Sequence, residues 1–133
     1  MIKQIITAGL CSAIVVVSAQ RQETSKQRGE ALYKKYCLSC HQANGKGVHG
    51  MNPPLIKTTY VTGDKKKLIK WVLQGSVVHV DIDGESYNNN MPAQNYLSDE
   101  QIADVLTFIR NSFGNKASSI LPADVKTVRA SIK

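Results

Sequence analysis

Two thiols and an imidazole lie within five consecutive residues, Cys37-Leu38-Ser39-Cys40-His41. This C-x-x-C-H spacing is the signature of covalent c-type haem attachment. Two thiols three residues apart at the end of a helix can reach the two vinyl groups on one edge of a porphyrin. The next residue can then project its imidazole to the iron. The motif therefore predicts one haem c, held by Cys37 and Cys40, with His41 as an axial ligand.

Three other uses of this motif are weaker. A disulfide between Cys37 and Cys40 would close a short, strained loop of the kind that is usually redox-active. A thioredoxin-like site requires a βαβ pattern, which the sequence lacks. A zinc site requires four ligands, and His49 and His79 do not supply a second closely spaced pair.

The elements that must position this motif are predicted to be helices, so the fold class is all-α. Apolar periodicity and capping residues predict helices at about 26–36, 65–74, from Ser98 to Gly114, and at about 123–130. The segments 37–60 and 76–97 have no strand pattern and are predicted to be loops. Such long loops are unusual in a small domain, and they make sense if they wrap a group that is not protein.

The N-terminus has the pattern of an export signal. Lys3 precedes an apolar run that ends in Val17-Ser18-Ala19, and the run is shorter than the ~20 residues that a spanning helix needs. We therefore expect residues 1–19, including Cys11, to be cleaved, and residues 20–25 to be flexible. An uncleaved anchor is the alternative. With cleavage, the protein would be exported, periplasmic or equivalent, and would have no stable membrane insertion.

The length of 133 residues suits one domain. The formal charge of +7 would suit nucleic acid, an anionic membrane surface or an acidic protein, and charge alone does not choose among them. Lys65, Lys66, Lys67 and Lys70 cluster at the start of one predicted helix, either as a solvated face or as a rim that steers docking. An exported haem protein without a recognition helix or stacking platform is not expected to bind nucleic acid.

The chain resembles class I cytochrome c over residues 26–114. Gly29 and Tyr33 match the family's glycine and aromatic residue before the first cysteine, and Phe108 matches their aromatic partner in the last long helix. Pro53, twelve residues after His41, matches the proline whose carbonyl accepts a hydrogen bond from the proximal histidine, with Leu55 packed behind it. The resemblance implies a small fold of three to five helices around one covalent haem.

The second axial ligand has several candidates. Met91, in Asn90-Met91-Pro92, resembles the family's distal ligand, and it lies 50 residues after His41, which is enough chain to reach the other face of the haem. Met51 and His79 compete with it, and His49 is a weaker fourth. His/Met ligation is the usual cytochrome c arrangement and raises the reduction potential.

These features predict a single-electron carrier rather than an enzyme, passing electrons between respiratory partners such as a quinol-oxidising complex or dehydrogenase and a terminal oxidase or reductase. The alternatives are a cytochrome subunit of a larger periplasmic oxidoreductase and a gas-binding haem sensor. Trp71 is expected to pack on the haem or donate to a propionate, or else to be core. Residues 115–133 form an extension with a short helix, which Val125 and Val128 would pack against the body.

Overall fold

A computed structural model describes residues 23–77 and 79–132. The predicted signal segment, residues 1–19 with Cys11, lies outside the described residues, as do residues 20–22 of the segment 20–25. Within the described ranges, no helix has the length and apolar character needed to cross a bilayer.

The described chain is mostly helical, which confirms the predicted all-α class. Its elements, in order, are α1 (Ser25–Tyr36), α2 (Leu38–His41), α3 (Thr59–Thr62), α4 (Lys65–Gln74), β1 (Val80–Ile82), β2 (Glu85–Tyr87), α5 (Asp99–Arg110) and α6 (Pro122–Ser131). The core lies between α1, α4, α5 and α6, and its largest fully buried side chains are Tyr33, Ile69, Leu73, Ile102, Leu106 and Val125.

Side-chain caps fix where the long helices begin. The Ser98 hydroxyl accepts from the Gln101 amide at 3.2 Å, and the Gln101 side chain accepts from the Ser98 amide at 3.0 Å. This is the capping box that the sequence predicts at the start of α5. Asp64 caps α4 by accepting from the Lys67 amide at 2.9 Å. Both caps satisfy amides that have no partner within the helix.

Helices α1 and α5 cross in direct backbone contact. A Cβ atom on Gly29 would lie 2.0 Å from the Asp104 carbonyl oxygen and 2.8 Å from Phe108 Cβ, so only glycine allows this approach. Tyr33, one turn later, packs with Phe108 at a ring-centroid distance of 5.4 Å. The expected contact of Gly29 and Tyr33 with the last long helix is thus confirmed.

The two predicted loops contain short elements that the prediction missed. Strands β1 and β2 pair antiparallel, with Val80 opposite Tyr87, inside the segment predicted to have no strand pattern. Asp83 and Gly84 join them with φ values of 51° and 89°, which suit a two-residue hairpin turn. The single-turn helix α2 lies in the other predicted loop, 37–60, and the single-turn helix α3 begins at the end of that loop.

The last long helix ends earlier than predicted, at Arg110 rather than near Gly114. The chain turns there because Phe113, at a φ of 55°, packs against Tyr33 and Phe108 with centroid distances of 5.3 and 5.8 Å. The aromatic group that joins α1 to α5 therefore has three members rather than the two expected from the sequence.

The segment after α5 folds back onto the body. Val125 and Val128 are buried in α6, as the sequence predicts. Arg110 is also buried, and its guanidinium donates to the carbonyls of Val61, Gly63 and Ser118 at 2.7, 3.1 and 2.8 Å. This one side chain ties α5 to the end of α3 and to the start of the extension.

Candidate functional site

The C-x-x-C-H motif lies where α1 passes into α2. Cys37 is the C-cap residue of α1. Its carbonyl oxygen accepts a hydrogen bond from the His41 amide at 2.9 Å, so the motif forms one tight helical turn. Both cysteines are free thiols, Cys37 half-buried and Cys40 exposed. Burial, with a smaller contribution from Cys40, raises the pKa of Cys37 to about 11, so its thiol is protonated at neutral pH.

His41 has a fixed tautomer. Its Nδ1 lies 2.9 Å from the Pro53 carbonyl oxygen. A carbonyl oxygen can only accept a hydrogen bond, so Nδ1 carries the proton and Nε2 keeps its lone pair. Burial lowers the pKa of His41, and the bond to Pro53 opposes that shift only in part. The imidazole is therefore neutral, oriented, and able to bind a metal ion through Nε2.

Met91 is held by a two-bond backbone bridge. The Ser76 amide donates to the Met91 carbonyl at 2.8 Å, and the Met91 amide donates to the Ser76 carbonyl at 3.0 Å. Ser76 follows α4 by two residues, so the bridge fixes the Met91 segment to the end of that helix. Met91 is half-buried and packs against the hydrophobic core.

A largely apolar cavity of about 1210 Å³, counted out to its open mouth, lies between these elements. All the site residues predicted from the sequence line it: Cys37, Cys40, His41, Pro53, Leu55, Trp71 and Met91. The structure thus brings together residues that are up to 54 positions apart in the chain.

The competing ligand candidates lie elsewhere. Met51 is 48% exposed, and His79 is exposed as well. The His49 side chain is 91% exposed and has its Nδ1 3.3 Å from a Glu85 carboxylate oxygen. Of the four candidates for the second axial position, Met91 lines the cavity and the other three do not. Among the described residues, no three His, Cys, Asp or Glu side chains are grouped so that they could hold a metal ion.

Three tyrosines that were not predicted as site residues also line the cavity: Tyr36, Tyr60 and Tyr87. Tyr60, in α3, packs edge-on against Trp71 with centroids 5.4 Å apart, and both side chains line the cavity. The sequence signal for this contact was weak, because the two residues lie eleven positions apart and Tyr60 falls at the end of a predicted loop. Together they supply a phenol and an indole N–H that can donate to an anionic group at the cavity wall.

The donor set has a clear chemical character. An apolar cavity with two thiols and a neutral imidazole on one side and a thioether also on its wall suits a flat, apolar iron porphyrin. Thiols can form thioether bonds to such a group, and imidazole and thioether are both iron ligands. The residues present therefore fit a c-type haem.

Comparisons with known proteins agree with this chemistry. The family model described as Cytochrome c matches residues 26–113. Cytochrome c-552 of Thermus thermophilus is 33% identical over 111 residues, which cover 77% of this chain and 84% of that protein.

Two further relatives are subunits of larger enzymes. The cytochrome c subunit of alcohol dehydrogenase (quinone) from Gluconacetobacter polyoxogenes is 36% identical over 108 residues. The cytochrome subunit of fructose dehydrogenase from Gluconobacter japonicus is 36% identical over 116 residues. Each match covers 80% of this chain but only 23% of the relative, so the chain spans less than a quarter of the length of either subunit.

The family match takes in α1 to α5 and the whole C-x-x-C-H motif, and the relative of similar length is itself a cytochrome c. The chain therefore belongs to the cytochrome c family of haem-dependent electron-transport proteins.

Proposed function

We propose that this chain is a single-electron carrier with one covalently attached haem c and His41/Met91 axial ligation. The observation that carries the proposal is the pairing of an oriented imidazole with a backbone-fixed thioether around one apolar cavity. When bound, the haem supplies a one-electron iron(III)/iron(II) couple. The chain itself performs no bond-making on a substrate.

Each residue has a distinct part in this proposal. Cys37 and Cys40 hold the haem through thioether bonds, so it stays attached although the cavity is open to solvent at its mouth. His41 binds iron through Nε2, and its bond to the Pro53 carbonyl strengthens the imidazole as a donor. Leu55 and Trp71 form part of the wall, and the Trp71 indole N–H is available to a propionate.

Met91 decides between a carrier and a gas-binding protein. A Met91 thioether in the sixth position would leave no free site on the iron for small molecules, which suits a one-electron carrier. Thioether ligation also favours the ferrous state and raises the reduction potential. A sensor or a haem enzyme would need this position to be open or labile.

The partners follow from charge and from the relatives. Lys66, Lys67 and Lys70 are exposed on α4, whose Trp71 lines the cavity, and the chain carries a formal +7. These features support docking to acidic redox proteins. Export is supported by the sequence of residues 1–19, and the mass of the N-terminal peptide from the mature protein tests cleavage after Ala19.

Attachment to a larger oxidoreductase is the second candidate function. The 36% identity with two dehydrogenase cytochrome subunits favours it. Purification of the native protein at physiological concentration separates the two functions. A carrier elutes alone, whereas a subunit elutes with a dehydrogenase at fixed stoichiometry.

The carrier proposal is tested by the reduced holoprotein under carbon monoxide, after expression with c-type haem maturation. We expect one haem per chain that survives denaturation, is lost in a Cys37→Ala/Cys40→Ala variant, and takes up no carbon monoxide at neutral pH. Rapid carbon monoxide binding by the wild type would contradict a carrier and favour a sensor.

A further inference from the structure

The loop that carries Met91 is anchored at more than one point. It runs from Met91 to the α5 cap at Ser98. Its first end is bridged to Ser76, and its middle is held by the Gln94 amide, which donates to the Val72 carbonyl at 2.9 Å. Both of these anchors come from α4 or from the residues just after it.

The second end of the loop is held by α6. Arg129 donates through its two terminal nitrogens to the carbonyls of Asn95 and Leu97, at 2.8 and 2.7 Å. Its Nε donates to the Asp99 carboxylate at 2.8 Å, in the first turn of α5. The planar guanidinium thus donates three hydrogen bonds in fixed directions, a geometry that a lysine ammonium could not reproduce. We call this group of contacts the Arg129 clasp.

Helix α6, which carries Arg129, is itself held in place by buried side chains. Val125 is 0% exposed and Val128 is 5% exposed, so α6 is packed firmly on the body beneath Arg129. Leu97, whose carbonyl the clasp holds, is 5% exposed, and its side chain lines the same cavity as Met91. A displacement at Leu97 therefore reaches the cavity wall directly.

Arg129 lies outside the family match, which ends at residue 113, whereas the three groups that it holds lie inside that match. We propose that the C-terminal extension acts through Arg129 as a positioning device, holding the second end of the 91–98 loop so that Met91 stays on the iron. This inference rests on the His41/Met91 ligation proposed above. Its consequence is that the extension controls how readily an outside ligand displaces Met91.

The test is imidazole binding to the ferric holoprotein, because imidazole competes with a thioether for the sixth position. Loss of the hydrogen bonds made by the Arg129 side chain should raise the apparent imidazole affinity of Arg129→Ala about tenfold. Lys126→Ala is the matched control, since Lys126 is an exposed cation on the same helix whose side chain makes no hydrogen bond or ion pair among the described residues. It should behave as wild type.

A second control separates positioning from general stability. Val128→Ala removes buried packing from α6 but keeps the Arg129 donors, so it should lower the melting temperature and change imidazole affinity much less than Arg129→Ala. Equal imidazole affinity in Arg129→Ala and Lys126→Ala would overturn the proposal. So would an affinity change in Val128→Ala as large as that in Arg129→Ala.

Two further variants keep the result decisive. If Arg129→Ala gives no folded holoprotein, Arg129→Lys takes its place, and an unchanged affinity there overturns the clasp. Met91→Ala tests the underlying ligation. If it binds imidazole no better than wild type, Met91 is not the ligand and both proposals fail. If it binds imidazole better while the Arg129 variants match wild type, only the clasp fails.

Discussion

Gly75 and Met91 lie so close that a Cβ atom on Gly75 would be 2.2 Å from the Met91 carbonyl oxygen. The Gly75 backbone also has a φ of +67°, a value that residues with a side chain rarely adopt. The end of α4 and the segment carrying the candidate ligand are therefore one unit, whose spacing depends on the absence of a side chain at position 75.

Gly75→Ala should displace the Met91 segment. We expect a loss of unfolding free energy of about 1–3 kcal/mol beyond the cost of the strained φ, because the neighbouring atoms are backbone. Gly50→Ala is the matched control, since Gly50 has a φ of +69° but no atom within 4 Å of the added Cβ. Denaturation of both holoproteins measures the difference. Equal losses would show that close approach to Met91 does not matter.

Gly29→Ala tests the crossing of α1 and α5. Alanine is the better helix former by about 1 kcal/mol, so propensity alone predicts stabilisation. The clash with the Asp104 carbonyl predicts the opposite sign, a destabilisation of about 3 kcal/mol. Ala31→Gly, at an exposed position of the same helix, measures propensity without the clash. A more stable Gly29→Ala protein would refute the observed helix contact.

Asp83 makes the hairpin sensitive to acid. Its carboxylate accepts hydrogen bonds from the Thr59 hydroxyl and the Thr59 amide, and these bonds lower the pKa of Asp83 below its usual 3.8. A lowered carboxyl pKa stabilises the fold above the ordinary value, and that contribution disappears as pH falls through the folded pKa.

Asp83→Asn and Thr59→Val should therefore both be less stable than wild type at neutral pH. The difference should shrink as pH falls below about 4 and should vanish once Asp83 is protonated in the folded wild type. Melting temperatures at pH 7 and at successively lower pH measure this. A constant difference across the series would mean that the carboxylate charge is not involved.

The lysines of α4 should speed reaction with anionic oxidants. Oxidation of the reduced holoprotein by hexacyanoferrate(III) should slow as ionic strength rises, because salt screens the attraction. A Lys66→Glu/Lys67→Glu variant should be several-fold slower at low salt, with a flatter salt dependence. With a cationic cobalt(III) oxidant the trends should reverse. The same salt response for both oxidants would rule out local charge as the cause.

The main helices could be predicted because their signals are local. The Ser98–Gln101 capping box and the apolar positions that follow it occur within one window of sequence. The hairpin was predictable too, since Asp83-Gly84 is a strong turn signal between short alternating segments. It was overlooked because each strand is only three residues long.

The roles of Arg110 and Arg129 could not have been predicted from sequence. Both side chains donate hydrogen bonds to backbone carbonyls. Every residue has a backbone carbonyl, so the sequence does not indicate which residue will be the acceptor. The Tyr60–Trp71 contact was also unpredictable, because it depends on how α3 meets α4 in space. The haem-binding motif was the opposite case, since its chemistry is confined to five consecutive residues.

The most direct test of the account is the visible spectrum of the ferric holoprotein for wild type, Met91→Ala and Met51→Ala. His41/Met91 ligation predicts a low-spin haem with a far-red methionine–iron band that is lost in Met91→Ala and retained in Met51→Ala. A band that survives in Met91→Ala would contradict the account, as would a wild-type low-spin haem with no such band or a high-spin haem that binds carbon monoxide when reduced.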